Sequence, residues 1–287
     1  METFMTDPLC TDIRDSALDL VDLQRYPIAT LDQGAGAAFL QQCRDHMRDH
    51  GWCNFDNFLR PDALDALASE AKDLLPKAEI LTIKRNIYQG EVDPSVPADD
   101  PRRREYTHHA LQLADDQIPG GSLIQRLYKS ELLTDFIRRV QDKASLYRYA
   151  DEFQALNIVA LQPGSWHGWH YDVNECTVTL LLQAAEKGGE FTFIPDSRKH
   201  SGEDTAKVDR FLAGDMNEAQ TFGRGAGTLT LFRGGYSLHG VSKVEGTRPR
   251  VTAILTYEDK PGCVAGDEIN IRIYGPRVER ILAARQA

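Results

Sequence analysis

Three side chains carry the strongest chemical signal in the sequence: His170, Asp172 and His239. In an extended segment residues i and i+2 project to one side. His170 and Asp172, two apart in SWHGWHYD, can therefore aim an imidazole and a carboxylate at a common point. His239 follows an apolar run in GTLTLFRGGYSLHGVSKV, 69 residues after His170. Two nitrogens and one carboxylate oxygen on one face hold a divalent metal and leave three positions open, the set that suits non-haem iron(II) and its chemistry with dioxygen. An HxD pair alone is common, and an ordinary hydrogen-bonding pair has the same spacing. Strand placement, the order of the ligands and an anion anchor beyond His239 separate the two readings.

That anchor is Arg250, eleven residues after His239 in RPRVTAILTY. Arg250 and Thr252 share one face of a strand. A guanidinium grips a carboxylate bidentately, and a neighbouring hydroxyl adds a third hydrogen bond. Arg248 has the same parity and is the rival; its place at the turn with Pro249 argues for Arg250, deeper in the strand.

The elements that must position these residues lie in the second half. From about residue 155 the sequence turns to short β runs: LNIVALQP, CTVTLLLQ, GEFTFIP, TLTLFR and VTAILTY. Gly164, Gly188, Gly189, Gly227, Gly234, Gly235 and Gly246 punctuate them. The pattern implies an antiparallel sandwich or barrel over residues 151–262, with 263–287 as an extension. Residues 1–150 read mainly as helix: 33–50 with Gly51 as its C-cap, 62–75 after Pro61, and a single helix over 122–143. Residues 52–59 read as a short strand, and 89–105, rich in Pro and Asp, as a loop that can act as a lid. The whole is expected to be one α+β domain, a β-barrel core wrapped by N-terminal helices.

Composition narrows the classes. The 287 residues are 41% hydrophobic and 26% charged, ordinary for a globular domain. The formal charge of −10 makes nucleic acid a poor partner, and Arg102, Arg103 and Arg104 form one short basic run, most simply a solvated loop. Five scattered cysteines without a CxxC pair (Cys10, Cys43, Cys53, Cys176, Cys263) read as free thiols in a reducing compartment, not a zinc site. The N-terminus has no signal-peptide core, and no apolar run has the length of a membrane span, so the expected location is cytoplasmic with no membrane partner.

His170-Tyr171-Asp172, His239 and Arg250-Val251-Thr252, with GGEFTFIP between them, resemble the 2-oxoglutarate/iron(II)-dependent oxygenase superfamily over about 155–260. The resemblance implies a double-stranded β-helix (jelly roll, cupin-like). It also implies iron(II) on His170, Asp172 and His239, 2-oxoglutarate on Arg250 and Thr252, and dioxygen as co-substrate. The reaction it implies hydroxylates an unactivated C–H bond and releases succinate and carbon dioxide. Two stretches, ADEFQALNIVALQPGSWHGWHYD and LTLFRGGYSLHGVSKVEGTRPRVTAILTYE, make the chain similar to bacterial oxygenases and halogenases of free amino acids, lysine above all. In the halogenases of that group Gly or Ala replaces the ligating carboxylate and chloride takes the vacancy. This chain keeps Asp172, so the resemblance implies hydroxylation.

For the substrate, a small molecule, the readings stay open. His167 is a substrate contact, a structural histidine or a fourth metal ligand. Glu152, with Asp151 as rival, can receive an ammonium group. Thr256 shares parity with Arg250 and can touch substrate or pair with backbone. Asn174 reads as a turn residue, one of Arg102, Arg103 and Arg104 can swing in to a substrate carboxylate, and Tyr274 and Arg277 can cover the site or simply pack. A carrier-bound or peptidyl substrate, a non-catalytic binding barrel and a zinc hydrolase are the competing functions; the last lacks an obvious general base. Assembly as a monomer or a homodimer is left open.

Overall fold

The structure, a computed structural model, describes residues 17–90, 94–100 and 103–285; the N-terminal stretch with Cys10, and Arg102, lie outside them. Eleven strands form one antiparallel sheet. In chain order they are β1 Trp52–Phe55, β2 Glu79–Arg85, β3 Tyr106–Leu113 and β4 Leu156–Leu161. Next come β5 His167–His170, β6 Thr177–Gln183, β7 Phe191–Ile194 and β8 Gln220–Phe222. β9 Leu229–Phe232, β10 Leu238–Val241 and β11 Arg250–Leu255 complete the set. Their order in the sheet is β1-β9-β6-β11-β4-β3-β5-β10-β7-β8, with β2 paired to β3.

The sheet curls onto itself. Phe232 of β9 and His239 of β10 stand far apart in that order, yet their ring centroids are 5.0 Å apart. This is the jelly-roll architecture expected from the second half of the sequence. Strand alternation then assigns two faces. On β4, β6, β9 and β11 one parity (Ile158, Leu180, Leu231 and Ala253 among them) joins the main hydrophobic core. The other parity, including Thr177, Thr179, Thr230, Arg250 and Thr252, lines the interior of the curl.

Helices cover the apolar face. α1 Gly34–His50 buries Leu40, Cys43 and Met47, and α2 Pro61–Leu74 buries Leu67, Ala71 and Leu74. Gly51 ends α1 in the left-handed region at φ 79°, as its C-cap position requires. The helix expected over 122–143 is two helices, α3 Leu123–Tyr128 and α4 Glu131–Val140. Ser130 causes the break: its hydroxyl accepts from the Leu133 amide at 3.2 Å, a helix N-cap that restarts the spiral in a new direction. The first half is also less helical than expected, because residues 79–85 and 106–113 form the β2–β3 hairpin. Three further helices, α5 Thr205–Leu212, α6 Asp267–Tyr274 and α7 Pro276–Ala284, close the ends. Cys43, Cys53, Cys176 and Cys263 are free thiols. Among the described residues no helix is long and apolar enough to cross a membrane.

Candidate active site

The three ligand candidates meet inside the curl. β5 and β10 pair antiparallel with His170 directly opposite His239, which sets the two rings 4.2 Å apart. Asp172 lies two residues beyond the end of β5. Its Oδ1 is 3.4 Å from His170 Nε2, and its Oδ2 is 3.4 Å from His239 Nε2. Each histidine is tied from behind: His170 Nδ1 is 2.8 Å from the Gly168 carbonyl and His239 Nδ1 2.8 Å from the Ser237 carbonyl. A carbonyl only accepts, so each Nδ1 carries the proton and each Nε2 presents a lone pair to the common point.

Burial pushes the Asp172 carboxyl up, but His239 and His170 beside it outweigh that and hold it well below the usual carboxylate range. Burial and the neighbouring His239 push the His170 imidazole down, and Asp172 only partly opposes them. The site therefore favours an anionic Asp172 and a neutral His170, the protonation states in which these two groups bind metal. The three donor atoms lie within 4.8 Å of one another. Cis donors around a metal at about 2.1 Å sit roughly 3 Å apart, so a divalent ion fits with small adjustments.

Two neighbours fix the carboxylate. The Thr177 hydroxyl donates to Asp172 Oδ2, and the Asp172 amide donates to the Gly234 carbonyl at 3.1 Å. A Cβ at position 234 would collide with the carboxylate itself. Gly234→Ala should therefore displace Asp172 and weaken metal binding by about ten- to a hundredfold, the range for disturbed supporting contacts, in a calorimetric titration with Mn(II). Wild-type affinity in a folded variant would show that Asp172 does not hold the metal.

Arg250 is buried at 6% exposure, and its Nη1 donates to Thr252 Oγ1 at 2.6 Å. The desired parity is met, and Arg248 is excluded from the interior: it is exposed, with Nε donating to the Ala184 carbonyl at 2.9 Å. Arg250 lines a cavity of about 110 Å³ with Leu181, Gly189, Phe191 and Arg224. Burial pushes its guanidinium down to about 10. Among the described residues no carboxylate pairs with it, so the cavity offers a buried cation to an anion that these residues do not supply.

Sequence reading missed three polar groups. Arg224, on the same cavity, lies in the GRGAG loop, where no periodicity marks it. His108 sits on β3 opposite His167 on β5. It is buried at 5% exposure with both ring nitrogens unpartnered, and its ring lies 4.5 Å from that of His167 and 5.4 Å from that of His170. Arg85, at the end of β2, is half-buried; its Nη1 donates to Gln89 and its Nε has no acceptor. The alternation in YTHHALQL was the available signal for His108.

His167 does reach the site: its ring stacks on that of His170 at 4.4 Å and 16°. His167 and His108 form a second histidine group with His170. Glu152 does not reach it. Its exposed carboxylate is clamped by Arg285 of the C-terminal segment, which corrects the expected substrate contact. Its rival Asp151 is buried and spent on structure, accepting from the Phe153, Gln154 and Ala265 amides and from Asn270. Thr256 takes the alternative foreseen for it: the strand has ended at Leu255, and its hydroxyl donates to the Gln154 carbonyl at 2.8 Å. Arg103 donates to the Val96 and Pro94 carbonyls of its own loop, and Arg104 is exposed beside Tyr106. Asn174 donates to Glu258. Tyr274 packs with its hydroxyl on Asn157, and Arg277 pairs with Asp116.

Comparison with known proteins agrees with this architecture. The chain is similar to the non-haem α-ketoglutarate-dependent epimerase SnoN of nogalamycin biosynthesis, at 17% identity and a TM-score of 0.56 over 78% of this chain and 84% of that one. AviO1 from Streptomyces viridochromogenes Tue57 follows at 16% identity and 0.54, covering 79% and 97%. An oxidoreductase of the 2OG-Fe(II) oxygenase family from Burkholderia pseudomallei has 16% identity and a TM-score of 0.51, over 81% and 94%. At such identities the likeness is one of fold. No curated protein sequence matches the chain. The family model named Halogenase D, however, matches residues 35–263, well over half of the sequence. The chain belongs to the Halogenase D family.

Proposed function

We propose that this protein is an iron(II)- and 2-oxoglutarate-dependent dioxygenase that hydroxylates an unactivated C–H bond of a free amino acid, lysine or a close analogue. The observation that carries the reading is Asp172, present and anionic between two histidines whose Nε2 lone pairs converge with it. The family is named for halogenation, and the halogenases that the chain resembles lack this carboxylate. A chain that keeps it has no vacancy for halide beside the metal. Relatives of the same fold named for α-ketoglutarate or 2-oxoglutarate fit the buried, unpaired Arg250.

When bound, iron(II) and 2-oxoglutarate supply the activation of dioxygen, with succinate and carbon dioxide as by-products. The protein's part is binding and orientation. His170, Asp172 and His239 would hold the metal, which would supply the open positions at which co-substrate and dioxygen bind. Arg250 and Thr252 take the distal carboxylate of 2-oxoglutarate. On the substrate side both ring nitrogens of His108 and the Arg85 Nε lack a partner, which supports a small polar substrate bearing a carboxylate. Uncoupled or coupled, turnover is read by succinate. A screen of free amino acids by succinate formation and mass spectrometry should find one substrate that gains a single oxygen. Gain of chlorine, or activity confined to carrier-bound substrates, would defeat the reading.

A further inference from the structure

The cavity beside Arg250 holds a second cation. Arg224 projects from the loop between β8 and β9, and its Nη1 donates to Thr179 Oγ1 and Thr230 Oγ1, both at 3.1 Å. Thr179 of β6 stands opposite Thr230 of β9. Both belong to the parity that lines the interior, and each is one pleat, about 6.8 Å, from a residue at the metal candidates. Thr177 donates to Asp172, and the Phe232 ring is 5.0 Å from that of His239. The Arg224 guanidinium carbon also lies 4.8 Å from the Phe191 ring centroid, and Phe191 in turn is 5.4 Å from the His239 ring. Arg250 and Thr252 lie further along: Thr252 is in register with Leu181, one pleat beyond Thr179. The interior thus runs from the metal candidates, past Arg224, to Arg250.

Both guanidinia lack an acidic partner among the described residues. Hydroxyls and an aromatic ring neutralise no charge. Burial and the Arg250 charge push Arg224 well below the ordinary range for an arginine, so the two cations repel across the cavity. Glu190 also lines the cavity, but it is exposed and pairs with neither. Two like charges gathered in one low-dielectric cavity are costly unless a ligand brings two negative charges.

We infer that Arg224 is a second co-substrate-binding residue: it takes the carboxylate of 2-oxoglutarate at the metal end, while Arg250 takes the distal one. The inference rests on the functional reading above and deepens it. A guanidinium beside the metal-end carboxylate fixes which side that carboxylate occupies, and so which open metal position is left for dioxygen. Arg224 acts here by binding, and its contribution is visible without turnover.

The test is anaerobic. Protein loaded with Mn(II) is titrated by calorimetry with 2-oxoglutarate and with 2-oxobutyrate, which keeps the metal-end 2-oxo acid and lacks the distal carboxylate. Arg224→Met should weaken both ligands roughly ten- to a hundredfold, the worth of a charge-assisted hydrogen bond. Arg250→Met should weaken 2-oxoglutarate and leave 2-oxobutyrate unchanged. Mn(II) affinity measured without ligand should be unchanged in Arg224→Met, and Arg224→Lys, which restores the charge, should recover part of the loss. If Arg224→Met does not fold, Arg224→Lys against Arg224→Gln supplies the same comparison. Undiminished 2-oxoglutarate binding in the Arg224 variants overturns the inference, and so does loss of 2-oxoglutarate with 2-oxobutyrate retained. Wild-type protein that binds neither ligand overturns the functional reading instead.

Discussion

Asp172→Ala should abolish oxygen insertion while leaving the fold intact. The carboxylate supplies one of three protein donors and the only negative charge among them. Its removal leaves two imidazoles, which bring no negative charge, facing a divalent cation. Loss of a mere supporting contact to a metal ligand costs about ten- to a hundredfold in affinity or activity, so loss of the ligand itself should cost at least about a hundredfold. The fold should survive because Asp172 lies outside the hydrophobic core and is half-buried, with 19% of its side chain exposed. Removing it also frees the Thr177 hydroxyl, which faces the interior and can turn to water. Iron titration, succinate release and product mass give three separate readouts. A folded variant that still adds oxygen at the wild-type rate would sink the ligand assignment. Asp172→Glu, with the charge kept but displaced by one methylene, should recover metal binding better than turnover, because geometry at the metal matters more for the reaction than for affinity.

The readable part of this site is the part that strands carry. His170 and Asp172 are two apart on an extended segment, His239 follows an apolar run, and Arg250 and Thr252 share a parity. Each statement is local, and period-two alternation converts each into a direction. The pairing of β5 with β10 then brings His170 opposite His239, a long-range fact the sequence expresses only through ligand order. Arg224 illustrates the opposite case. Its loop has no alternation, and it matters only because Thr179 and Thr230, from two strands paired in the sheet, catch its guanidinium.

Proximity in sequence also misled. Glu152 lies just ahead of β4 and looked well placed for an ammonium group, but Arg285, 133 residues away, holds it at the surface. His108 was hidden by a different error. In sequence, residues 1–150 read mainly as helix, whereas residues 79–85 and 106–113 pair as a hairpin. Helical and strand periods are hard to separate over seven or eight residues. Burying His108 next to two other histidines is a tertiary outcome of that pairing.

Arg250→Met should separate binding from stability. In the wild-type protein the guanidinium is buried with a hydroxyl but no carboxylate, which is unfavourable until a ligand arrives. Methionine fills similar volume without charge, so the ligand-free variant should melt at or above the wild-type temperature. The co-substrate tells the opposite story. Losing a bidentate, charge-assisted grip worth about 3 kcal/mol or more should raise the concentration of 2-oxoglutarate needed for half-maximal turnover about a hundredfold or more. The rise in melting temperature that 2-oxoglutarate gives the metal-loaded protein should vanish at the same concentration. Arg248→Ala serves as the control: that side chain is exposed and bonded to the Ala184 carbonyl, so its loss should leave the 2-oxoglutarate requirement unchanged. If Arg248→Ala raises the requirement and Arg250→Met does not, the anchor has been assigned to the wrong arginine. If neither does, the cavity is not where 2-oxoglutarate binds. The combination expected here, unimpaired stability with a lost ligand response, distinguishes a binding cation from a structural one, because a structural arginine would cost stability when removed.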